Sequence, residues 1–220
     1  MAERILPTST EDEQAAAVAA ATMAVHRGQL VVLPTDTVYG VGADAFDPEA
    51  VERLLDAKGR GRQMPPPVLV AKPATMRALA TGIPSYAEAL AERFWPGPLT
   101  LICTEQTSLQ WDLGETNGTV ALRMPDHPIA LALLERTGPL AVSSANTTGS
   151  PAAVTAEEAR QMLGSNVSVY LDAGDAPGGV ASTILDCTGE HPEVLRLGAL
   201  NIEVLNEVLQ PLGLPLADGR

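Results

Sequence analysis

"LPTDTVYGVGADAFDPEAVERLLDAKGRGRQ", residues 33–63, closes an apolar strand, crosses a Thr/Asp/Thr turn and enters a helix that ends in a run of cations. Leu30 to Leu33 reads as a short buried strand halted by Pro34. Asp47-Pro48 supplies an N-cap and a first-turn proline for the helix. Its apolar face is Val51, Leu54 and Leu55, and Lys58 falls on that same face at i+7, where Gly59 ends the helix. A lysine so placed points inward. Arg53, Lys58, Arg60 and Arg62 crowd together here although the chain carries 14 Lys+Arg against 27 Asp+Glu, a net charge of −13. An anion is therefore expected against this loop, with Arg62 a solvated neighbour.

Gly40-Val41-Gly42-Ala43-Asp44-Ala45 fits a loose G-x-G-x-x-A pattern, but the strand ends at Leu33 and the helix has its own cap at Asp47. A pyrophosphate would not meet the helix N-terminus, so these read as turn glycines and a Rossmann site is excluded. No G-x-x-x-x-G-K-[ST] phosphate loop occurs.

Outward from this unit, Thr10 and Glu13 form a capping box for an Ala-rich helix ended by Gly28. Strands are expected near 68–71, 99–104, 120–124, 140–143, 168–172, 182–187 and 193–197. Helices are expected at 84–94, from an Asp126 cap through Leu134, from a Thr155 capping box to Gly164, and at about 202–210. Strands and helices interleave and then strands cluster, which predicts an α/β fold. It should be a single domain over 1–220, core about 10–200, with a twisted mixed sheet, flanking helices and an open cavity at one sheet face.

The 45% apolar fraction suffices for a core, and 3% aromatics leave aliphatics to build it. The acidic N-terminus does not read as a secretory signal, and no apolar run approaches the roughly 20 residues of a membrane span. Cys103 and Cys187 lie in strand-like runs and read as buried, reduced thiols of a cytoplasmic protein. His26, His127 and His191 lack metal-ligand spacing, which argues against structural zinc. The acidity argues against a broad nucleic-acid surface.

Several strand ends carry chemistry. Ser143-Ser144-Ala145-Asn146 leaves a strand through hydroxyl and amide groups, either as a polar turn or as a strand-end ligand site. A serine-hydrolase reading fails, since no G-x-S-x-G elbow surrounds either serine. Arg123 and Arg196 end apolar strands and offer forks suited to carboxylate or phosphate.

Seven segments taken in order, "LPTDTVYGVGADA", "AKGR", "FWPGPLTL", "TVALRMPDHPIA", "SSAN", "GGVASTILD" and "LRLGAL", resemble the YrdC-like threonylcarbamoyl-AMP synthases in their short form, without a C-terminal extension domain. The resemblance implies a nucleotidyltransferase joining L-threonine, bicarbonate or CO2 and ATP into threonylcarbamoyl-AMP and pyrophosphate. Partner proteins would then deliver the threonylcarbamoyl group to position 37 of tRNAs that read ANN codons. It implies Mg²⁺ accompanying ATP, and catalysis by fixed cations rather than a nucleophile.

Carried over position by position, the resemblance gives Lys58 and Arg60 to the ATP phosphates and the catalysis. It gives Thr119, Ser144, Asn146 and Arg196 to the rest of the nucleotide. Arg123 would clamp the threonine carboxylate, and Thr35, Thr37 and Ser182 would contact the amino acid. The metal ligands are left open. Against the family's pattern, Gly61 stands where proline is frequent, "VLVAKP" has no histidine, Ala152 replaces a serine, and Leu197 replaces a proline. Two alternatives are carbamoyl transfer from carbamoyl phosphate, and a non-catalytic RNA-binding module. Direct tRNA binding is expected to be weak.

Overall fold

The computed structural model describes residues 3–217. Ten strands form one mixed sheet: β1 (Arg4–Pro7), β2 (Leu30–Leu33), β3 (Gly40–Asp44), β4 (Val68–Leu69), β5 (Leu99–Thr104), β6 (Thr119–Arg123), β7 (Leu140–Ser144), β8 (Val167–Asp172), β9 (Thr183–Asp186) and β10 (Glu193–Arg196). Their order is β1-β8-β2-β3-β7-β4-β6-β5-β9-β10. Seven α-helices flank it: α1 (Glu11–Val25), α2 (Pro48–Lys58), α3 (Met76–Leu79), α4 (Ser85–Phe94), α5 (Pro128–Thr137), α6 (Ala156–Leu163) and α7 (Ile202–Leu209).

Each face of the sheet has its own core. Helices α1 and α5 pack with Val31, Leu33, Leu140 and Leu171 on one side. Residues of α2, α4, α6 and α7 join Val32, Leu101, Leu122 and Leu185 on the other. The split follows the strand period of two: Leu99, Leu101 and Cys103 enter the second core, while Thr100 and Ile102 turn to the opposite face. Because α1 lies against β1, β8 and β2 and α5 packs beside α1, strands β6, β5 and β9 are left open on that face. That gap is the cavity.

The fold corrects the sequence reading in several places. Gly40–Asp44 of the 40–45 stretch form strand β3, so its glycines lie in a strand and not in a turn. Its glycines serve close packing, since a Cβ at Gly40 would lie 2.6 Å from Val142 Cγ1 on neighbouring β7. The N-terminal β1 was unforeseen and pairs in parallel with β8. The 68–71 strand shrinks to Val68–Leu69, followed by a short 3₁₀ turn and α3. Helix α5 is capped by His127 and not Asp126, because Pro128 occupies the first turn. Nδ1 of His127 accepts the Ile129 N–H at 3.3 Å, a neutral-imidazole role consistent with burial lowering its pKa. The Thr155 capping box is half formed: Thr155 caps Glu158 N, but the Glu158 carboxylate accepts from Val154 N. Cys103 on β5 and Cys187, just past the end of neighbouring β9, are both free and buried.

Candidate active site

The cavity has a volume of about 440 Å³ over an apolar floor of Leu69, Ile102, Ala121, Val142 and Ile184. That size suits a small-molecule ligand. Its polar groups come from three directions.

The first wall is the turn after β2, facing the end of β6. Thr35 Oγ1 donates to Val38 O at 2.7 Å and accepts the Thr37 N–H at 3.1 Å, so the turn is closed by its own hydroxyl. Arg123 is 7% exposed. Its guanidinium donates to Gly97 O at 3.0 Å, to Thr37 Oγ1 at 3.0 Å and to Asp36 Oδ1. Burial lowers its pKa and Asp36 opposes this, but a guanidinium remains charged at any working pH. Three of its five N–H groups are used, leaving one on each terminal nitrogen. Asp36 Oδ1 also accepts the Asp126 N–H at 3.0 Å, whereas Asp36 Oδ2 is buried with no partner.

The second wall is β9 and β10. Thr100 and Ser182 share a hydroxyl hydrogen bond of 2.9 Å. Arg196 grips Ser182 through its carbonyl at 2.8 and 3.1 Å and through Oγ at 3.2 Å. The β10 register explains the direction of that side chain. Val194 pairs with the core residue Leu185, but Arg196 pairs with cavity-lining Ile184. The shift at Leu195 is a β-bulge that turns Arg196 from the core face to the cavity face.

The third wall joins the end of α2 to the segment after β7. Gly59 closes the helix at φ 61°, a left-handed conformation that favours glycine. Beyond it Arg60 Nη1 donates to Ser143 Oγ at 3.2 Å, while its Nε is buried with no partner. Lys58 stands behind this wall. Its Nζ donates to Ser144 O, to Asn146 O at 2.7 Å and to Asn146 Oδ1 at 3.3 Å. Burial, helped by the Arg60 charge, pushes its pKa down to about 8.

Thr35, Thr37, Arg60, Arg123, Ser144, Ser182 and Arg196 therefore line one cavity. Lys58, Asn146 and Thr119 do not. Asn146 Nδ2 is taken up by Thr147 O and Ser150 O. Thr119 lies on the cavity face of β6 beyond Ala121, its hydroxyl donated to Thr116 O at 2.8 Å. The other cations of the opening run also have partners within the chain. Arg53 reaches Gly28 O and pairs with Asp47 and Glu49. Arg62 is exposed and outside the cavity lining, as its reading as a solvated neighbour expects, and pairs with Asp112 at 2.6 Å.

Sequence reasoning missed Thr100 and Asp36 as parts of this constellation and named Ser143 only within a possible strand-end site, with no role of its own. Thr100 was legible as the polar member of an otherwise apolar "LTLIC" strand, and Ser143 stood in the quoted "SSAN". Of the expected departures, Ala152 lines the cavity and Leu197 is exposed.

The model of the Sua5/YciO/YrdC family, described as "Telomere recombination", matches residues 23–198. This chain belongs to that family. A putative threonylcarbamoyl-AMP synthase of Mycobacterium tuberculosis is 52% identical over 198 residues, covering 90% of this chain and 91% of that one. The threonylcarbamoyl-AMP synthase of Pyrococcus abyssi is 40% identical over 84% of this chain, which spans only 55% of that protein. The crystal structure of P. abyssi Sua5 complexed with L-threonine matches with a TM-score of 0.86 at 37% identity, over 95% of this chain and 61% of that one. Escherichia coli YciO shares the fold at a TM-score of 0.82 and 24% identity, over 92% of this chain and 99% of its own.

Proposed function

We propose that this protein is an L-threonylcarbamoyladenylate synthase, a nucleotidyltransferase that makes threonylcarbamoyl-AMP and pyrophosphate from L-threonine, bicarbonate or CO2 and ATP. One observation carries the reading. The cavity is lined by Arg60, Arg123 and Arg196 with no carboxylate among the lining residues, inside a chain of net charge −13. A site so concentrated in positive charge fits ligands that are themselves anions. The threonine bound by P. abyssi Sua5 and the name of the M. tuberculosis relative support the same substrates.

In this reaction the threonine amine bonds to the carbon of CO2 and loses a proton, giving a carbamate. A carbamate oxygen then bonds to the α-phosphorus of ATP as the bond to pyrophosphate breaks. Two anions must meet while a third leaves, so fixed donors are the effective catalysts. Arg123, held by Asp36, Thr37 and Gly97, keeps one free N–H on each terminal nitrogen for the amino-acid carboxylate. Thr37 and Ser182 offer hydroxyls beside it, and the Thr35 hydroxyl sets the turn. Arg60 and Arg196, with Ser144, face the remaining space and would take the phosphates.

Among the described residues no three His, Cys, Asp or Glu side chains converge as metal ligands. The donor set therefore does not fit a resident metal, and Mg²⁺ enters as the companion of the ATP phosphates, as part of the substrate. The product would pass to proteins that transfer its threonylcarbamoyl group to tRNA in the cytoplasm. Direct tRNA binding should be weak and salt-sensitive, because the acidic chain can neutralise few phosphates. Among the described residues no helix is long and apolar enough to cross a membrane.

The test is pyrophosphate release from ATP across a panel of amino acids with bicarbonate present. Release should require both threonine and bicarbonate. Turnover without threonine, or with carbamoyl phosphate replacing bicarbonate, would overturn the proposal.

A further inference from the structure

Lys58 and Arg60 sit two residues apart and have opposite surroundings. Arg60 reaches the cavity with a single hydrogen bond and an unpartnered buried Nε. Lys58 is 1% exposed and meets three oxygens of one short segment. An ammonium has three N–H groups, so each has a partner and none is left for a phosphate. The main chain repeats the connection, since the Thr148 N–H donates to Lys58 O at 2.9 Å.

The three acceptors would repel one another without a cation between them. Two are the carbonyls of Ser144 and Asn146, and the third is the Asn146 side-chain oxygen. Buried acceptors that lose their donor are costly, so the fold of residues 144–148 depends on the ammonium. That segment continues directly from Ser143 and Ser144, which line the cavity, and Ser143 Oγ receives Arg60. Burial and Arg60 both act against the lysine charge, so a group kept there is held by its oxygen partners.

We propose that Lys58 is a positioning residue: its ammonium folds the 144–148 segment around itself and so sets Ser143 and Ser144 against Arg60, without touching the nucleotide. This rests on reading the cavity as the ATP site. Arg60, with its unused donors, is the member of the pair that meets phosphate.

A comparison of nucleotides separates positioning from direct contact. ATP, AMP and adenosine are titrated into wild type, Lys58→Met and Arg60→Ala, and amide hydrogen exchange is followed over residues 145–148. A lysine touching the β- or γ-phosphate would lose the ATP-to-AMP preference on substitution while exchange over 145–148 stayed as in wild type. For Lys58→Met we expect exchange over 145–148 to accelerate and the preference to fall with it, because Ser143 and Ser144 are no longer held against Arg60. Arg60→Ala should lose the preference by about tenfold or more, the scale of one charge-assisted hydrogen bond, with exchange unchanged. Unchanged exchange in Lys58→Met, or accelerated exchange with the preference intact, would overturn the proposal.

If Lys58→Met does not fold, Lys58→Arg serves instead. It keeps the charge, but its planar fork cannot meet three oxygens converging on one point. Accelerated exchange over 145–148 is expected, and full ATP affinity with protected amides would overturn the proposal. A wild-type protein that bound no nucleotide would refute the reading of the cavity rather than the clamp, and the exchange arm alone would then decide whether Lys58 holds the segment.

Discussion

The arginines at the two ends of the cavity are held in opposite ways. Arg123 ends β6, an inner strand, and its guanidinium is fixed by acceptors from two distant parts of the chain, Gly97 and the turn that carries Asp36 and Thr37. Arg196 ends β10, the edge strand, and all its hydrogen bonds go to one residue, Ser182. The first belongs to the folded core and the second to its rim. A buried ion pair is expensive to break, whereas a rim arginine can be removed without leaving a buried charge behind. The inner end should therefore couple activity to stability, and the rim end should not.

Arg123→Ala is expected to have the largest effect. It strips the partner from Asp36, whose side chain is 14% exposed and whose second oxygen already lacks one. The loss should be about 3–5 kcal/mol of folding stability, the range for breaking a buried pair from one side. Threonine-dependent turnover should vanish with it. Thermal midpoints of Arg123→Ala and of the double variant Arg123→Met/Asp36→Asn measure this, and the double variant should recover most of the stability and none of the turnover. Equal destabilisation in both would mean that packing, not the uncompensated carboxylate, sets the cost.

Arg196→Ala should come next and leave the thermal midpoint nearly unchanged. Removing one preorganised electrostatic contact costs about 2–4 kcal/mol of transition-state stabilisation, read here as kcat/KM for ATP. A fall in stability matching that of Arg123→Ala would erase the distinction between the two ends.

Much of this contrast was legible in the sequence, and the reasons for the rest are physical. Lys58 on the apolar face of α2 followed from its spacing after Val51, Leu54 and Leu55, and it is buried there. The seven ordered segments single out Thr37, Arg60, Arg123, Ser182 and Arg196, and the fold brings them to one cavity. What the lysine does with its protons was not legible, because its acceptors are two main-chain carbonyls and an amide oxygen 86 and 88 positions away. The bulge at Leu195 escaped notice because periodicity describes a regular strand, and one extra residue reverses every later side chain. Strand β3 was hidden by Gly40 and Gly42, residues depleted from strands and here required by Val142. Asp36 reads in the sequence only as part of the Thr/Asp/Thr turn, since its partner Arg123 is 87 positions away.

The third prediction concerns pH. Burial and Arg60 push the Lys58 pKa down to about 8 from an ordinary 10.5. Below about 8 the ammonium is intact and holds residues 144–148; as pH rises through that value it loses a proton and the charge on which the three oxygens converge. ATP affinity, measured without threonine so that the substrate amine plays no part, should fall on the alkaline side of about 8. Amide exchange over 145–148, corrected for its intrinsic pH dependence, should rise over the same interval. An affinity constant up to pH 10 would remove Lys58 from the rim's control.

The smallest effect is expected at Arg62, and it tests whether a cation in the opening run matters merely for being there. Arg62 follows Gly61 on the segment that carries Arg60, but its side chain is 53% exposed and turns to Asp112 in the 105–118 loop, away from the cavity. The Asp112 pair raises the Arg62 pKa and lowers that of Asp112, as expected of a solvated ion pair. Exposed pairs contribute little once solvent and salt screen them. The loop is also tied down without the side chain, because the Glu115 N–H donates to Arg62 O at 2.8 Å and the Phe46 and Trp111 rings stack nearby at 5.4 Å. Arg62→Ala should keep kcat/KM for ATP within about threefold of wild type at moderate salt. The residual effect should shrink further as ionic strength rises. A loss as large as that of Arg196→Ala, persisting at high salt, would mean that the 105–118 loop sets the position of Arg60 through this pair, and the rim would then be as tightly coupled to its surroundings as the inner end.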